Sequence, residues 1–90
     1  MVVAIKLELF AAAGCASCAE AREALKAVAL QEANDLVWRD VDVLAERDYA
    51  VELGVLTLPA IAIDGELVFA SLPSPDELRL ALIERRARRA

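Results

Sequence analysis

The feature that most limits what this chain can become is where its two cysteines stand. Cys15 and Cys18 are the only cysteines among 90 residues, and they fall where an extended apolar run gives way to a helical one. Val2 to Phe10 reads as a buried strand, with Val3, Ile5, Leu7 and Leu9 alternating with Ala4, Lys6 and Glu8. Ala11 to Gly14 is a short loop. From Cys15 or Ala16 the pattern is helical, with Cys18, Ala21, Leu25, Val28 and Ala29 on one face and Glu20, Arg22, Glu23 and Lys26 largely away from it. Asn34 and Asp35 end that helix.

The rest of the chain continues the alternation. Leu36 to Val43 is a second strand. Leu44 to Leu53 is a second helix, closed by Gly54 at the position of a C-cap glycine. Ala60 to Ile63 and Glu66 to Phe69 are short apolar runs joined by Asp64-Gly65, a two-residue hairpin signal. Ser74-Pro75-Asp76-Glu77 opens the last helix with Ser at the N-cap, Pro at N1 and Glu at N3. Leu78, Leu82 and Ile83 form its apolar stripe. The order is β-α-β-α-β-β-α. A right-handed crossover makes the first two strands parallel, and the hairpin makes the last two antiparallel. The expected fold is α/β, a mixed four-stranded sheet flanked by helices, in one domain spanning 1–90.

Composition narrows the setting. Apolar residues make up 59%, enough to supply a core for a chain this short. The formal net charge of −5 argues against nucleic acid as the main partner. Arg85, Arg86, Arg88 and Arg89 complement the dipole at the end of the last helix. No stretch reaches the length of a membrane helix, so no membrane partner is expected. Met1 to Phe10 lacks the basic start of an export signal, which also sets aside Ala12-Ala13-Gly14-Cys15 as a lipoprotein box. The expected location is cytoplasmic, where a close cysteine pair points to redox or metal chemistry rather than to a structural staple.

Cys-x-x-Cys at a strand-to-helix junction suits disulfide exchange. The thiolate is the nucleophile, and a helix N-terminus with its free N–H groups favours an anion. Cys15 sits there, and Cys18 lies one turn later with its side chain inward. Cys15 would attack a substrate disulfide and Cys18 would resolve the mixed disulfide. A pair of small buried hydrophobes is one alternative. A metal site is another, although two cysteines and no histidine leave a zinc ion short of ligands within one chain. Thr57-Leu58-Pro59 stands just ahead of the third strand, and read locally Pro59 is a trans proline opening that strand.

Together these segments make the chain resemble the thioredoxin and glutaredoxin superfamily from Val2 to about Ile83. Gly14 to Leu25 looks most like the compact glutaredoxin-like proteins of bacteria and archaea. The resemblance implies a thioredoxin fold and a thiol-disulfide oxidoreductase, with Cys15 as the exposed nucleophile and Cys18 as the resolving thiol. It makes Pro59 a cis-proline beside the disulfide and Leu58 the residue whose backbone pairs with substrate, with Thr57 and Gly14 completing the binding residues. The loops Phe10 to Gly14, Leu56 to Pro59 and Ala70 to Pro73 would lie closest to the disulfide. No cofactor or metal is implied, because the electrons reside on the two sulfurs. The implied partners are protein or small disulfides and a thiol reductant, and a monomer is expected.

The chain departs from the family at several points. Gly14 stands where thioredoxins carry Trp, and Ala16-Ser17 replaces Gly-Pro. The buried acid of thioredoxins would fall at Leu9. Ala70-Ser71-Leu72-Pro73 lacks the Gly-Gly of glutaredoxins. Other functions kept open are a binding module without turnover and an iron-sulfur or metal carrier using Cys15. Arg22 reads as a solvent-exposed residue that adds positive potential near Cys15 only if it turns inward. Trp38 and Tyr49 read as packing residues.

Overall fold

The structure is a computed structural model that describes residues 4–33 and 35–89, with Arg89 described for its backbone only. Its elements are β1 (Lys6–Ala11), α1 (Ala16–Glu32), β2 (Val37–Asp42), α2 (Arg47–Leu53), β3 (Ala60–Ile63), β4 (Glu66–Phe69) and α3 (Pro75–Arg89). The sheet runs β2-β1-β3-β4. β1 pairs parallel with β2, and β3 pairs antiparallel with both β1 and β4. This is the expected mixed sheet in the expected order.

Local chemistry accounts for the turns. Asp64 and Gly65 have φ of 51° and 79°, both in the left-handed region that a two-residue hairpin turn needs. Ser74 and Glu77 form a reciprocal cap on α3. The Glu77 N–H donates to Ser74 Oγ at 3.1 Å, and the Ser74 N–H donates to Glu77 Oε1 at 2.9 Å. The Gly54 N–H donates to the carbonyls of Ala50 and Val51 at the end of α2.

The sheet is covered on both faces. Leu7, Leu9, Ile61 and Ile63 meet Leu25 and Ala29 of α1 and Leu78 and Leu82 of α3. On the other face Phe10, Val41, Ala60 and Ala62 meet Ala50, Tyr49 and Leu53 of α2. Burying each large side chain of the first cluster stabilises the fold by about 1.5–3 kcal/mol.

Several expectations change. β1 begins at Lys6, while Val2, Val3 and Asn34 lie outside the described residues. α2 begins at Arg47 rather than Leu44, because Asp42 first makes a turn: its Oδ1 accepts from the Leu44 N–H at 2.9 Å, and its carbonyl from the N–H groups of Ala45 and Glu46. Ile83 is exposed, as α3 buries only Leu78 and Leu82 fully. Glu8, which alternates with Leu7 and Leu9, is wholly buried on the other face. Alternation tells one face from the other, and here α2 covers the second. Glu8 accepts from the Tyr49 hydroxyl and from Arg39 Nη1 at 2.5 Å, with Lys6 Nζ at 3.7 Å. A buried carboxylate needs such partners. Burial, with the Glu8 hydrogen bond after it, pushes the Tyr49 phenol up to about 12.

Candidate active site

Register decides what gathers at one end of the sheet. Phe10 lies opposite Val41 of β2 and opposite Ala60 of β3, and Ala11 lies opposite Asp42. The loop after β1, the end of β2 and Pro59 just before β3 therefore share one end. Gly14 takes φ of 83° in the loop, open to glycine without a Cβ penalty, and the chain then turns into α1.

Cys15 is the N-cap of α1. Its Sγ accepts the Cys18 N–H at 3.2 Å and lies 3.5 Å from Ser17 Oγ. A sulfur held at that position faces unsatisfied backbone donors and the positive end of the helix dipole, and both favour its anionic form. Cys15 is half-buried and Cys18 is 4% exposed. The two are joined as a disulfide with S–S 2.09 Å and Cα–Cα 5.2 Å. One sulfur is therefore open to a reactant and the other stands behind it.

The Leu58–Pro59 bond is cis, which overturns the local reading of a trans proline and agrees with the resemblance. Pro59 is buried, while Thr57 and Leu58 are exposed. Thr57 Oγ1 donates to the Ala70 carbonyl, tying the loop before β3 to the loop after β4. Gly14 and both cysteines border one hollow, whereas Leu56 and Leu58 border another, with Val43, Leu44, Ala50 and Val51. Of the expected binding residues, Gly14 thus shares a hollow with the cysteines and Leu58 lines a separate one.

Two residues acquire a place that their sequence context did not predict. Arg22 is half-buried rather than turned to solvent, and it is bound to Asp40 of β2 through Nε at 2.8 Å and Nη2 at 3.0 Å. Trp38 packs against the core as expected, but its Nε1 also donates to Asp40 Oδ1 at 3.2 Å. The hydrogen bonds from Arg22 hold the Asp40 carboxyl below the usual carboxylate range. Trp38 and Asp40 stand two apart on one face of β2, whereas Arg22 reaches Asp40 from α1 across eighteen positions, so only the first contact is local. Leu9, at the position of the thioredoxin acid, is buried in the apolar core.

The Thioredoxin domain family matches residues 3–83. The chain belongs to the thioredoxin family. A probable thioredoxin of Methanothermobacter thermautotrophicus is 30% identical over 74 residues, which are 82% of this chain and 87% of that protein. The thioredoxin of Methanocaldococcus jannaschii is 27% identical over 90% of this chain and 95% of its own length. A solved mutant thioredoxin from Halobacterium salinarum superposes with a TM-score of 0.71 at 28% identity, covering 90% of this chain and 73% of that one. With the Cys15–Cys18 disulfide, this membership makes the protein a thiol-disulfide oxidoreductase. Thioredoxins act on protein disulfides together with a reductant. Among the described residues no helix is long and apolar enough to cross a membrane.

Proposed function

We propose that Cys15 is the nucleophile and Cys18 the resolving thiol of a two-electron exchange. In the reduced protein the Cys15 thiolate attacks one sulfur of a substrate disulfide. A Cys15–substrate bond forms, the substrate S–S bond breaks, and the departing thiolate takes a proton from solvent. The Cys18 thiol then loses its proton and attacks Cys15 Sγ. The internal disulfide forms and the second substrate thiolate leaves. The protein dithiol is oxidised and the substrate disulfide reduced. An external thiol reductant reverses the internal step.

The observation that carries this assignment is the asymmetry of the pair. Cys15 caps α1 and accepts the Cys18 N–H, whereas Cys18 is buried behind it. Leu58 offers backbone to an extended substrate beside Pro59, with Thr57 and Gly14 on the same end of the sheet. The substrates are protein or small-molecule disulfides. The chain works as one domain over 1–90, as a cytoplasmic monomer without cofactor, metal, nucleic acid or membrane.

The test is a pair of variants offered a disulfide-bonded protein. Cys15→Ser should abolish exchange, and Cys18→Ser should accumulate a mixed disulfide through Cys15. Full turnover by Cys15→Ser would remove the assignment.

A further inference from the structure

A hollow of about 440 Å³ opens beside the disulfide, between the first turns of α1 and the end of β2. Its base is apolar, formed by Leu9, Val41 and the buried Cys18, and Ala12 and Ala19 leave it open. Leu56 and Leu58 are not among its lining residues and border a separate hollow. Three charged side chains line it: Arg22, Asp40 and Asp42.

Their arrangement sets a charge preference. Each nitrogen of Arg22 donates to a carboxylate, Nε and Nη2 to Asp40 and Nη1 to Glu23 at 2.8 Å. Three of its five N–H groups are thereby engaged, so an incoming anion meets a cation already paired with carboxylates. Asp42 is exposed and spends Oδ1 on the Leu44 N–H, with no guanidinium or ammonium hydrogen-bonded to it among the described residues. Lys26, the other cation near Asp40, lies outside the lining. Within the lining Arg22 alone stands against Asp40 and Asp42, so one negative charge is left over.

We propose that this hollow is a substrate subsite that takes a cationic side chain flanking the reacting half-cystine. The side chain lays its aliphatic stem on the apolar base and its charge by Asp40 and Asp42. This is the way Lys and Arg cover apolar surface while keeping the head group wet. The inference rests on the exchange reaction proposed above and specifies its substrates. Disulfides set among Lys or Arg react faster than those set among Glu, and an anionic disulfide is disfavoured. Asp40 is a specificity-determining residue with a double part, since it attracts the cation and keeps Arg22 occupied. Replacing its carboxylate by an amide leaves Arg22 one acceptor oxygen in place of two, unpairs its charge beside the hollow and reverses the preference.

The test uses the reduced full chain and three homodimeric peptide disulfides whose cysteine is flanked on both sides by Lys, by Leu or by Glu. Single-turnover formation of the Cys15–Cys18 disulfide is followed by thiol alkylation and mass at physiological ionic strength. The Lys peptide should react about three- to fivefold faster than the Glu peptide, the range of exposed charge pairs. Asp42→Asn should bring the ratio toward one, and Asp40→Asn should take it below one. Glu52→Gln changes net charge by the same amount from α2, outside the hollow, and should leave the ratio as it was. Equal wild-type rates for the three peptides would overturn the subsite. So would a ratio that Asp40→Asn and Asp42→Asn shift no more than Glu52→Gln does. Failure of every peptide to oxidise the protein would instead overturn the exchange reaction.

Discussion

The two ends of the sheet are built from similar materials and put to different use. At one end the chain ties itself off. The Asp64 N–H donates to the Lys6 carbonyl at 2.8 Å, the Lys6 N–H donates to Asp64 Oδ1 at 3.0 Å, and the Val37 N–H donates to the Ile5 carbonyl at 2.8 Å. At the other end the strands stop at Ala11, Asp42 and Pro59 around a helix start capped by sulfur rather than oxygen. A cysteine N-cap gives up a strong hydrogen-bond acceptor for one that exchanges covalent partners. The glycines make the parallel closest: Gly14 and Gly65 have φ of 83° and 79°, one before the reactive sulfur and one in the closing hairpin.

The largest expected effects belong to the reactive end alone. Cys15→Ser should reduce exchange below detection in an insulin-type disulfide reduction assay, while a serine N-cap keeps α1 in place. Its circular dichroism should match that of the wild type. Loss of the helix signal in that variant would mean that the sulfur's part is structural.

Between the two ends, Glu8 sits mid-strand opposite Arg39 and Ala62. Tyr49→Phe removes one donor from this buried carboxylate and should cost about 1–3 kcal/mol in denaturant unfolding. Exchange should be unchanged, because none of Glu8, Arg39 and Tyr49 borders the hollow at the cysteines. The same phenol gives a pH test, since Tyr49 is the only tyrosine. Its ultraviolet titration should have its midpoint near 12 rather than 10. The sign follows from the raised value. The stabilisation is fully present below the ordinary phenol value and is lost as pH rises through the folded one.

Gly14→Ala and Gly65→Ala probe the two ends of the sheet in the same way. Each alanine substitution puts a Cβ into left-handed backbone with no neighbour within 4 Å to clash, so the penalty is conformational, about 1–2 kcal/mol at either site. Gly65→Ala should lower stability and leave exchange intact. Gly14→Ala should lower both, because it moves the cap. Equal exchange rates in the two variants would show that the loop before Cys15 is not tuned.

The smallest effect is expected at Asp40. Its carboxyl is held low by Arg22, so the pair's contribution is present above the ordinary carboxylate range and is lost as pH falls through the lowered value. In Arg22→Gln, a carboxyl NMR titration should find the Asp40 midpoint moved up.

What the sequence made legible follows the reach of each signal. The Asp64-Gly65 turn, the Ser74–Glu77 cap and the alternation of Leu7 and Leu9 rest on a few adjacent residues, and all were correct. The strand-to-helix placement of Cys15 was equally local. The environment of Glu8 was not legible, because it depends on Tyr49, forty-one positions away, closing over it. Arg22 reaches Asp40 from α1 across eighteen positions, and nothing in either segment marks the other. Leu44 looked helical by its apolar neighbours, but the Asp42 carboxylate takes its N–H into a turn first. The cis state of Pro59 was legible through family resemblance and not through local preference.

Cys15 and Cys18 should form one reversible two-electron couple. The most direct measurement is a titration of the pure protein across glutathione or dithiothreitol redox buffers, read by the mass added on thiol alkylation. The expected result is a single transition in which both thiols disappear together, with no stable species carrying one. Two separate one-thiol transitions, or two thiols that stay alkylatable throughout, would contradict it.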